Sequence, residues 1–282
     1  MTETELMLTS ILNCRRVDLY VNRPELTAGQ RTWLEQIKER RASGEPLQYL
    51  LGEAEFCGLT LAVDGRVLIP RPETELLVEA VISAFSDGQK DIPANILDLG
   101  TGSGNIVVSL AKHFPGSSIT AVDVSAGALN VARKNARVHT ADANIAFVRG
   151  CMLDILNGAV PLMRKFDVVV SNPPYIPSFQ ISSLPEDVRR EPLLALDGGE
   201  DGLKFIRPLI ARTAELLAPQ GILAVEIGDG QANAVAELFH NSSGWLSGVF
   251  IKDYRATERI AVLSKGGTWP IEKCGLLTIQ PI

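Results

Sequence analysis

The chain has 282 residues, of which 46% are hydrophobic and 21% charged, and its formal net charge is −6. This composition predicts a folded protein with a sizeable core and argues against an extended disordered chain. The negative charge also argues against a protein whose main task is to coat nucleic acid, because that task needs a basic surface.

The first 50 residues predict a small helical domain. Apolar residues recur at helical spacing over residues 3–13, 15–21 and 28–42. Thr27 is placed to cap the third of these helices. Acidic and basic residues are balanced in this region, which fits either a solvated accessory domain or a docking module for a macromolecular substrate.

Residues 51–72 predict a β-hairpin linker. Residues 55–63 and 66–69 are rich in strand-forming side chains, and they flank Asp64 and Gly65. An Asp-Gly pair between two such runs is a strong signal for a tight hairpin turn. We therefore expect two paired strands with their turn at this position.

From residue 73 to residue 282 the pattern predicts an α/β domain. The expected strands are short apolar runs at residues 96–99, 118–122, 145–148, 166–170, 222–227, 246–251 and 259–263. The expected helices lie at residues 73–85, 106–113, 126–138, 203–217 and 231–239. No helix separates the last two strands, so one of them should run antiparallel in an otherwise parallel, doubly wound sheet.

A glycine-rich loop follows the first strand of this domain. It consists of Gly100, Thr101, Gly102, Ser103 and Gly104. Glycines let a backbone turn tightly and approach a ligand closely. Because the spacing differs from that of a dinucleotide fingerprint and an acid, Asp98, precedes the loop, it resembles the cofactor loop of class I methyltransferases.

Asp123 follows the next strand, about 20 residues after the glycine loop. A carboxylate accepts two hydroxyl hydrogen bonds, which suits a ribose diol. Taken alone, Asp123 fits a helix N-cap equally well. The glycine loop upstream favours ribose binding.

The sequence Asn172, Pro173, Pro174 and Tyr175 follows the fourth strand directly. Alone, it fits a rigid loop. Prolines fix the backbone and withhold N–H donors, so the Pro173 carbonyl and the Asn172 side-chain oxygen can both accept from one planar NH₂ group. Tyr175 can stack on that group. The pattern predicts in-line methyl transfer to an amide or amine nitrogen, with neither a metal nor a general base.

Together these residues resemble the PrmC/HemK family, the glutamine N5-methyltransferases of peptide chain release factors. The resemblance covers nearly the whole chain, and its most discriminating segment is Leu-Ile-Pro-Arg-Pro-Glu-Thr-Glu at residues 68–75. Further matching segments lie at residues 44–52, 55–56, 98–104, 171–175, 191–192, 194–196, 202 and 226–228.

The resemblance implies a helical docking domain at residues 1–50, a hairpin linker at 51–72 and a class I (Rossmann-like) methyltransferase domain at 73–282. It also implies S-adenosyl-L-methionine as cofactor, which the reaction converts to S-adenosyl-L-homocysteine. The acceptor would be the glutamine of the Gly-Gly-Gln motif in class 1 release factors, with no direct nucleic acid partner.

The same match assigns roles to single residues. The glycine loop would hold the methionine moiety of the cofactor, and Asp123 its ribose. Asn172 would face both the cofactor and the glutamine amide. The resemblance places the catalytic and substrate-binding groups at Asn172, Pro173, Pro174 and Tyr175. It places Arg71, Pro72, Glu73 and Thr74 against the cofactor or behind the loop.

The chain departs from the family pattern after the third strand. Cys151, Met152 and Leu153 stand where the family often has Asp-Leu-Phe or Asp-Trp-Phe beside the adenine. Met152 can still pack on adenine through its polarizable thioether, but the acid is missing. Residues 252–259 match the family only in part, and residues 267–282 match no segment of it.

Two other functions compete with this reading. A DNA methyltransferase acting on adenine or cytosine amino groups carries similar motifs, but it needs a basic groove and usually a target-recognition region. A non-catalytic scaffold needs neither the glycines nor Asn172, and both are present.

The four cysteines form no CxxC pair, and no apolar run approaches the roughly 18 residues of a membrane span. We therefore expect a cytoplasmic protein with no membrane partner.

Overall fold

The computed structural model describes residues 2–22, 24–86, 92–159, 164–266 and 279–281. The chain begins with helices α1 (Glu3–Leu12), α2 (Arg16–Val21), α3 (Ala28–Ala42) and α4 (Leu47–Leu51). Thr2 and Thr27 cap α1 and α3, which confirms the predicted role of Thr27. Helices α1, α3 and α4 pack around a small apolar core made of Met7, Ile11, Leu34, Ile37, Leu47 and Leu50.

The hairpin that follows differs from the prediction. Strands β1 (Glu53–Phe56) and β2 (Leu59–Ala62) pair antiparallel, with Phe56 opposite Leu59. The turn is therefore Cys57-Gly58, and both residues have positive φ, 48° and 70°, as a two-residue hairpin turn requires.

The Asp64-Gly65 pair forms a separate local turn, in which Asp64 accepts hydrogen bonds from the backbone of Arg66 and of Val67. The predicted strand at residues 66–69 is absent. Val67 and Ile69 are instead buried in an apolar cluster with Ala128 and Val131. Their hydrophobic character reflects this packing and not strand pairing.

The rest of the chain builds a mixed α/β fold. Its strands are β3 (Asn95–Leu99), β4 (Ser118–Asp123), β5 (Ile145–Arg149), β6 (Phe166–Ser171), β7 (Leu217–Glu226), β8 (Ser247–Lys252), β9 (Glu258–Ser264) and β10 (Ile279–Pro281). Its helices are α5 (Pro72–Ser86), α6 (Asn105–His113), α7 (Ala126–Val138), α8 (Met152–Leu156), α9 (Glu186–Arg189), α10 (Leu193–Leu196), α11 (Ile206–Leu216) and α12 (Ala232–His240).

One sheet holds strands β3 to β10, in the order β5-β4-β3-β6-β7-β9-β8-β10. Strands β3 to β7 are parallel, and β9 is antiparallel to both β7 and β8. The predicted doubly wound sheet with a late antiparallel strand is therefore confirmed. Helices α5 and α6 cover one face of the sheet, and α8, α11 and α12 cover the other.

The strand order reverses between β3 and β6. The chain runs outward from β3 to β4 and β5, then crosses back to β6 on the other side of β3. Ligands of open α/β sheets bind beyond the carboxyl ends of the strands at such a switch point. Of the predicted motifs, the glycine loop follows β3 and the Asn-Pro-Pro-Tyr sequence follows β6, so both lie there.

The sequence did not predict the short helices α8, α9 and α10, or strand β10. Strand β7 also begins at Leu217, five residues before the predicted start at residue 222. Leu217 pairs with Phe166 in the neighbouring strand, an interaction that no local pattern indicates. Residues 267–278 and 282 of the unmatched tail lie outside the described residues.

Candidate active site

The glycine loop turns back on the sheet immediately after β3. Gly100, Gly102 and Gly104 have positive φ values of 88°, 56° and 79°. Residues other than glycine rarely adopt this backbone conformation. The backbone N–H groups of Gly100 and Thr101 both donate to the Val122 carbonyl at 2.9 Å. The loop is therefore fixed to the end of β4, and α6 begins directly behind it.

Asp123 lies at the end of β4 and contacts the same loop. One carboxylate oxygen accepts the Gly102 N–H at 2.9 Å, and the other accepts the Ser125 N–H at 2.8 Å. Burial raises the pKa of Asp123, opposed by these two backbone hydrogen bonds. The N-cap of α7 is Ser125, whose hydroxyl accepts from Ala128. The N-cap alternative for Asp123 is therefore wrong.

Asp98 lies beneath the loop and is fully buried. Burial raises its pKa to about 7, although the nearby Thr101 hydroxyl opposes the shift. Both carboxylate oxygens of Asp98 and the hydroxyl of Thr101 lack a hydrogen-bond partner among the described residues. Buried polar atoms are usually paired, so these unpaired oxygens of Asp98 and Thr101 are exceptions in and directly beneath the glycine loop.

A cavity of about 300 Å³ opens beside the loop. A volume of this size suits a small ligand or cofactor. Of the predicted cofactor and substrate residues, those in its wall are Gly100, Thr101, Gly102, Ser103, Asp123, Met152, Asn172 and Pro174. Of the family-specific segment, Arg71 and Thr74 contribute to the wall. Gly104, Pro173 and Tyr175 lie outside it.

Gly104 has a packing role. A Cβ atom placed on it would lie 3.0 Å from the Ala132 Cβ and 3.1 Å from the Ala132 Cα. These distances are too short for a side chain without movement of α7. Gly104 therefore allows α6 and α7 to approach closely, and the cavity is shaped by this packing.

Asn172 links the cavity to a series of buried side-chain hydrogen bonds. Its amide nitrogen donates to the Thr74 hydroxyl at 3.0 Å, and the Thr74 hydroxyl donates to Glu226 at 2.7 Å. Tyr175 donates its own hydroxyl to the other Glu226 oxygen at 3.1 Å. Four residues from three parts of the chain are thereby connected behind the cavity wall.

Glu226 was not among the predicted site residues. It is 1% exposed at the end of β7, and burial raises its pKa to about 7, with Thr74 and Tyr175 opposing the shift. Burial, followed by the charge of Glu226, also raises the pKa of Tyr175. A carboxylate at the end of an otherwise apolar strand is unusual, and that pattern at residues 222–227 was a usable signal.

The loop after the Asn-Pro-Pro-Tyr sequence is held by a second buried acid. Glu191 accepts the Ile69 N–H at 2.9 Å and forms an ion pair with Arg71. Gln231 donates to the Tyr175 carbonyl at 3.1 Å and to the Gly202 carbonyl at 3.2 Å. These contacts hold the loop so that Pro192, Leu194 and Ala195 form part of the cavity wall, and no local sequence pattern predicts them.

The N-terminal helices contact this same loop. Arg41 of α3 pairs with Asp187 at 3.2 Å, and Arg190 donates to the Ser43 carbonyl. The helical region is therefore attached to the segment that leads into the cavity-wall residue Pro192. No described helix is long and apolar enough to cross a membrane, and the described part of the chain holds no cluster of three or more His, Cys, Asp or Glu suited to a metal ion.

Two family models match the chain. Residues 73–183 match the methyltransferase small domain, and residues 1–52 match the PrmC N-terminal domain. The first contains the glycine loop, Asp123 and the Asn-Pro-Pro-Tyr sequence. The second contains helices α1 to α4.

Curated relatives extend the match over most of the chain. A release factor glutamine methyltransferase from Moorella thermoacetica is 43% identical over 82% of this chain and 78% of its own. Another from Yersinia pestis is 37% identical over 95% of this chain and 92% of its own. Among solved structures, a methyltransferase from Pyrococcus furiosus aligns with a TM-score of 0.54 at 18% identity, covering 83% of this chain and all of that one, which supports the fold.

Proposed function

The chain belongs to the family of release factor glutamine methyltransferases, and on that premise we propose the chemistry of its site. We infer that it transfers the methyl group of S-adenosyl-L-methionine to the side-chain amide nitrogen of the glutamine in the Gly-Gly-Gln motif of class 1 release factors. The observation that carries this proposal is that Asn172 and Pro174 share one cavity with the glycine loop and Asp123.

The residues of the cavity fit this cofactor. Asp123 uses one hydrogen bond on each carboxylate oxygen, which leaves further lone pairs for a ribose diol. The Thr101 hydroxyl, which lies in the cavity wall and has no partner among the described residues, suits the amino-acid end of the cofactor, which carries an ammonium group. Met152 is buried in the cavity wall beside Gly100 and supplies a polarizable contact for a flat ring.

The bound cofactor would supply an electrophilic methyl group on a sulfonium sulfur. The protein's contribution is then to position the acceptor nitrogen in line with that methyl. The Asn172 side-chain oxygen, which lies in the cavity wall, would accept one amide N–H bond of the glutamine. The backbone carbonyl of Pro173, between the two wall residues Asn172 and Pro174, would accept the other. They hold the nitrogen in plane, and no described residue is needed to remove its proton before the new bond forms.

The role proposed here for Tyr175 differs from the stacking on the substrate that the sequence predicts. Its hydroxyl donates to Glu226, and its ring lies outside the cavity wall. We therefore infer that Tyr175 supports the loop from behind and does not stack on the substrate in this arrangement. Pro174, which lies in the wall, is the better candidate for contact with the glutamine side chain.

The substrate partner is a release factor, and the N-terminal helices are the candidate docking region. They contact the loop beside the cavity through Arg41 and Asp187, so a protein bound to them can reach the site. A DNA substrate is not favoured, since the relatives act on release factors and the net charge is −6. We propose a cytoplasmic location, because a release factor acts there during translation.

Mass spectrometry of a release factor incubated with the protein and S-adenosyl-L-methionine tests the proposal. A gain of one methyl group on the Gly-Gly-Gln peptide, located on the glutamine side chain by fragmentation, is the expected result. A methyl group on any other residue, or none, contradicts it.

A further inference from the structure

A chain of hydrogen bonds lies behind Asn172. It runs from the Asn172 amide nitrogen to the Thr74 hydroxyl at 3.0 Å, and from that hydroxyl to Glu226 at 2.7 Å. Thr74 and Glu226 are each 1% exposed, so bulk water does not compete for these bonds. The two residues come from the start of α5 and the end of β7, far from Asn172 in sequence.

The chemistry of these groups decides which of them donates and which accepts in each hydrogen bond. An ionised carboxylate only accepts hydrogen bonds, and a hydroxyl has a single proton to donate. When the Thr74 hydroxyl donates its hydrogen bond to Glu226, the Thr74 oxygen can only accept from its next neighbour. That neighbour must then be the NH₂ end of the Asn172 side chain, and the Asn172 oxygen is turned away from Thr74.

We propose that Thr74 and Glu226 are positioning residues that hold the Asn172 side-chain amide with its oxygen presented to the acceptor nitrogen of the substrate. This inference rests on the proposed function, because the orientation matters only for a substrate that brings N–H donors to Asn172. No described residue donates to the Asn172 side-chain oxygen, so that oxygen is available to the substrate.

The opposite orientation disables the site. An asparagine amide rotated by half a turn presents its own NH₂ group, and two donors then face each other. Such a contact replaces a good hydrogen bond by an unpaired donor, which is unfavourable. Thr74 excludes this orientation as long as its hydroxyl donates to Glu226. A protonated Glu226 can instead donate to Thr74, and the Thr74 proton can then reach the Asn172 oxygen.

The ionisation of Glu226 therefore matters for turnover. Burial raises its pKa to about 7, the charge of Glu73 on α5 adds to the shift, and Thr74, Tyr175 and Arg259 on β9 oppose it. A raised carboxylate pKa means that the protonated form gains population as the pH falls through neutrality. The oriented, active form of Asn172 is accordingly favoured above that range and lost below it.

The first test compares Thr74→Val, Thr74→Ser and Thr213→Val. Valine keeps the shape and removes the hydroxyl, and serine restores it. Thr213 is the control: it is fully buried in α11, and its hydroxyl has no partner among the described residues. The assays are methylation of a purified release factor, for kcat and KM, and calorimetric binding of S-adenosyl-L-methionine, for the cofactor Kd.

We expect Thr74→Val to lower kcat by at least about tenfold with the cofactor Kd within about threefold of the parent value. Thr74→Ser should recover most of that loss, and Thr213→Val should show none. Normal turnover by Thr74→Val, or equal losses in the serine and valine variants, overturns the inference. A parent protein that leaves the release factor unmethylated overturns the proposed function instead.

A second variant keeps the inference testable if Thr74→Val does not fold. Glu226→Gln has the same shape but does not ionise, and its amide can donate to Thr74 as well as accept from it. We expect kcat of the parent protein to fall as the pH is lowered from about 8 to about 6, and we expect Glu226→Gln to have a lower and pH-independent kcat over that interval. If the kcat of Glu226→Gln falls at low pH as that of the parent protein does, another group causes the fall and the inference is overturned.

Discussion

The Asp123 carboxylate accepts the backbone N–H of Gly102 at 2.9 Å. One residue ends strand β4 and the other belongs to the loop after β3, so this bond fixes the loop against the neighbouring strand. The loop glycines and the candidate ribose acceptor are therefore held in place before any ligand arrives. Pre-ordering of this kind reduces the entropy lost on binding.

Replacement of Asp123 by alanine should weaken cofactor binding. The substitution removes a charged acceptor for the ribose and the bond to Gly102, and we expect a loss of about 1–3 kcal/mol in binding free energy. Isothermal titration with S-adenosyl-L-methionine measures it directly. Glu237→Ala, which removes an exposed carboxylate from α12, is the matched control. Unchanged affinity in Asp123→Ala contradicts the ribose assignment.

Replacement of Asn172 by alanine should separate catalysis from cofactor binding. Asn172 mainly orients the acceptor nitrogen, so turnover should fall below detection while the cofactor Kd stays within about threefold. Steady-state methylation and titration of the same protein preparation give the two values. If turnover and cofactor binding are lost to the same extent, Asn172 mainly binds the cofactor and its proposed role is wrong.

Replacement of Gly198 by alanine should disturb the Asn-Pro-Pro-Tyr loop. A Cβ atom at this position would lie 2.7 Å from the Tyr175 Cα and 2.9 Å from the Gly202 Cα. Because backbone atoms cannot move aside cheaply, we expect a loss of about 1–3 kcal/mol in unfolding free energy, accompanied by lower kcat.

Gly29→Ala is the control for that experiment. Gly29 lies in the first turn of α3 with no atom within 4 Å of the added Cβ, so alanine should not destabilise the protein and should stabilise it by up to about 1 kcal/mol. Urea unfolding of both variants gives the comparison. A Gly198→Ala protein as stable and active as Gly29→Ala would mean that the loop has room the structure does not show.

Asp98 should make the stability of the ligand-free protein depend on pH. Its folded-state pKa is raised to about 7 by burial, whereas an unfolded aspartate titrates near 3.9. Folding therefore favours the protonated form, so this contribution to stability is complete below about pH 4 and is lost as the pH rises towards 7.

The Asp98→Asn variant isolates that contribution. Its unfolding free energy should change less between pH 4 and 7 than that of the parent protein, by up to about 4 kcal/mol. Denaturant unfolding at several pH values measures the difference. Parallel curves for the two proteins would show that Asp98 keeps an ordinary pKa in the folded state.

The sequence predicted those parts of the site that depend on strand ends. The glycine loop, Asp123 and Asn172 each follow a recognisable strand, and parallel strands bring their carboxyl ends to one edge of a sheet. Their proximity followed from the fold class alone. The resemblance to a known family supplied the substrate, which the residues themselves left open between an amide and a nucleobase amine.

Other features depend on contacts that no local pattern encodes. The bond between Thr74 and Asn172 spans 98 residues, and that between Ile69 and Glu191 spans 122. The hairpin turn was misplaced because Asp64-Gly65 is the stronger local signal. Pairing of Phe56 with Leu59 instead places the turn at Cys57-Gly58, so that Val67 and Ile69 can pack beside α7.

The central claim is that the protein methylates the release factor glutamine. The most direct measurement is transfer of label from S-adenosyl-L-methionine to three acceptors: an intact class 1 release factor, the same factor with its Gly-Gly-Gln glutamine changed, and duplex DNA. We predict label on the intact factor alone. Label on the changed factor or on DNA, or none on any acceptor while the cofactor still binds, would contradict the claim.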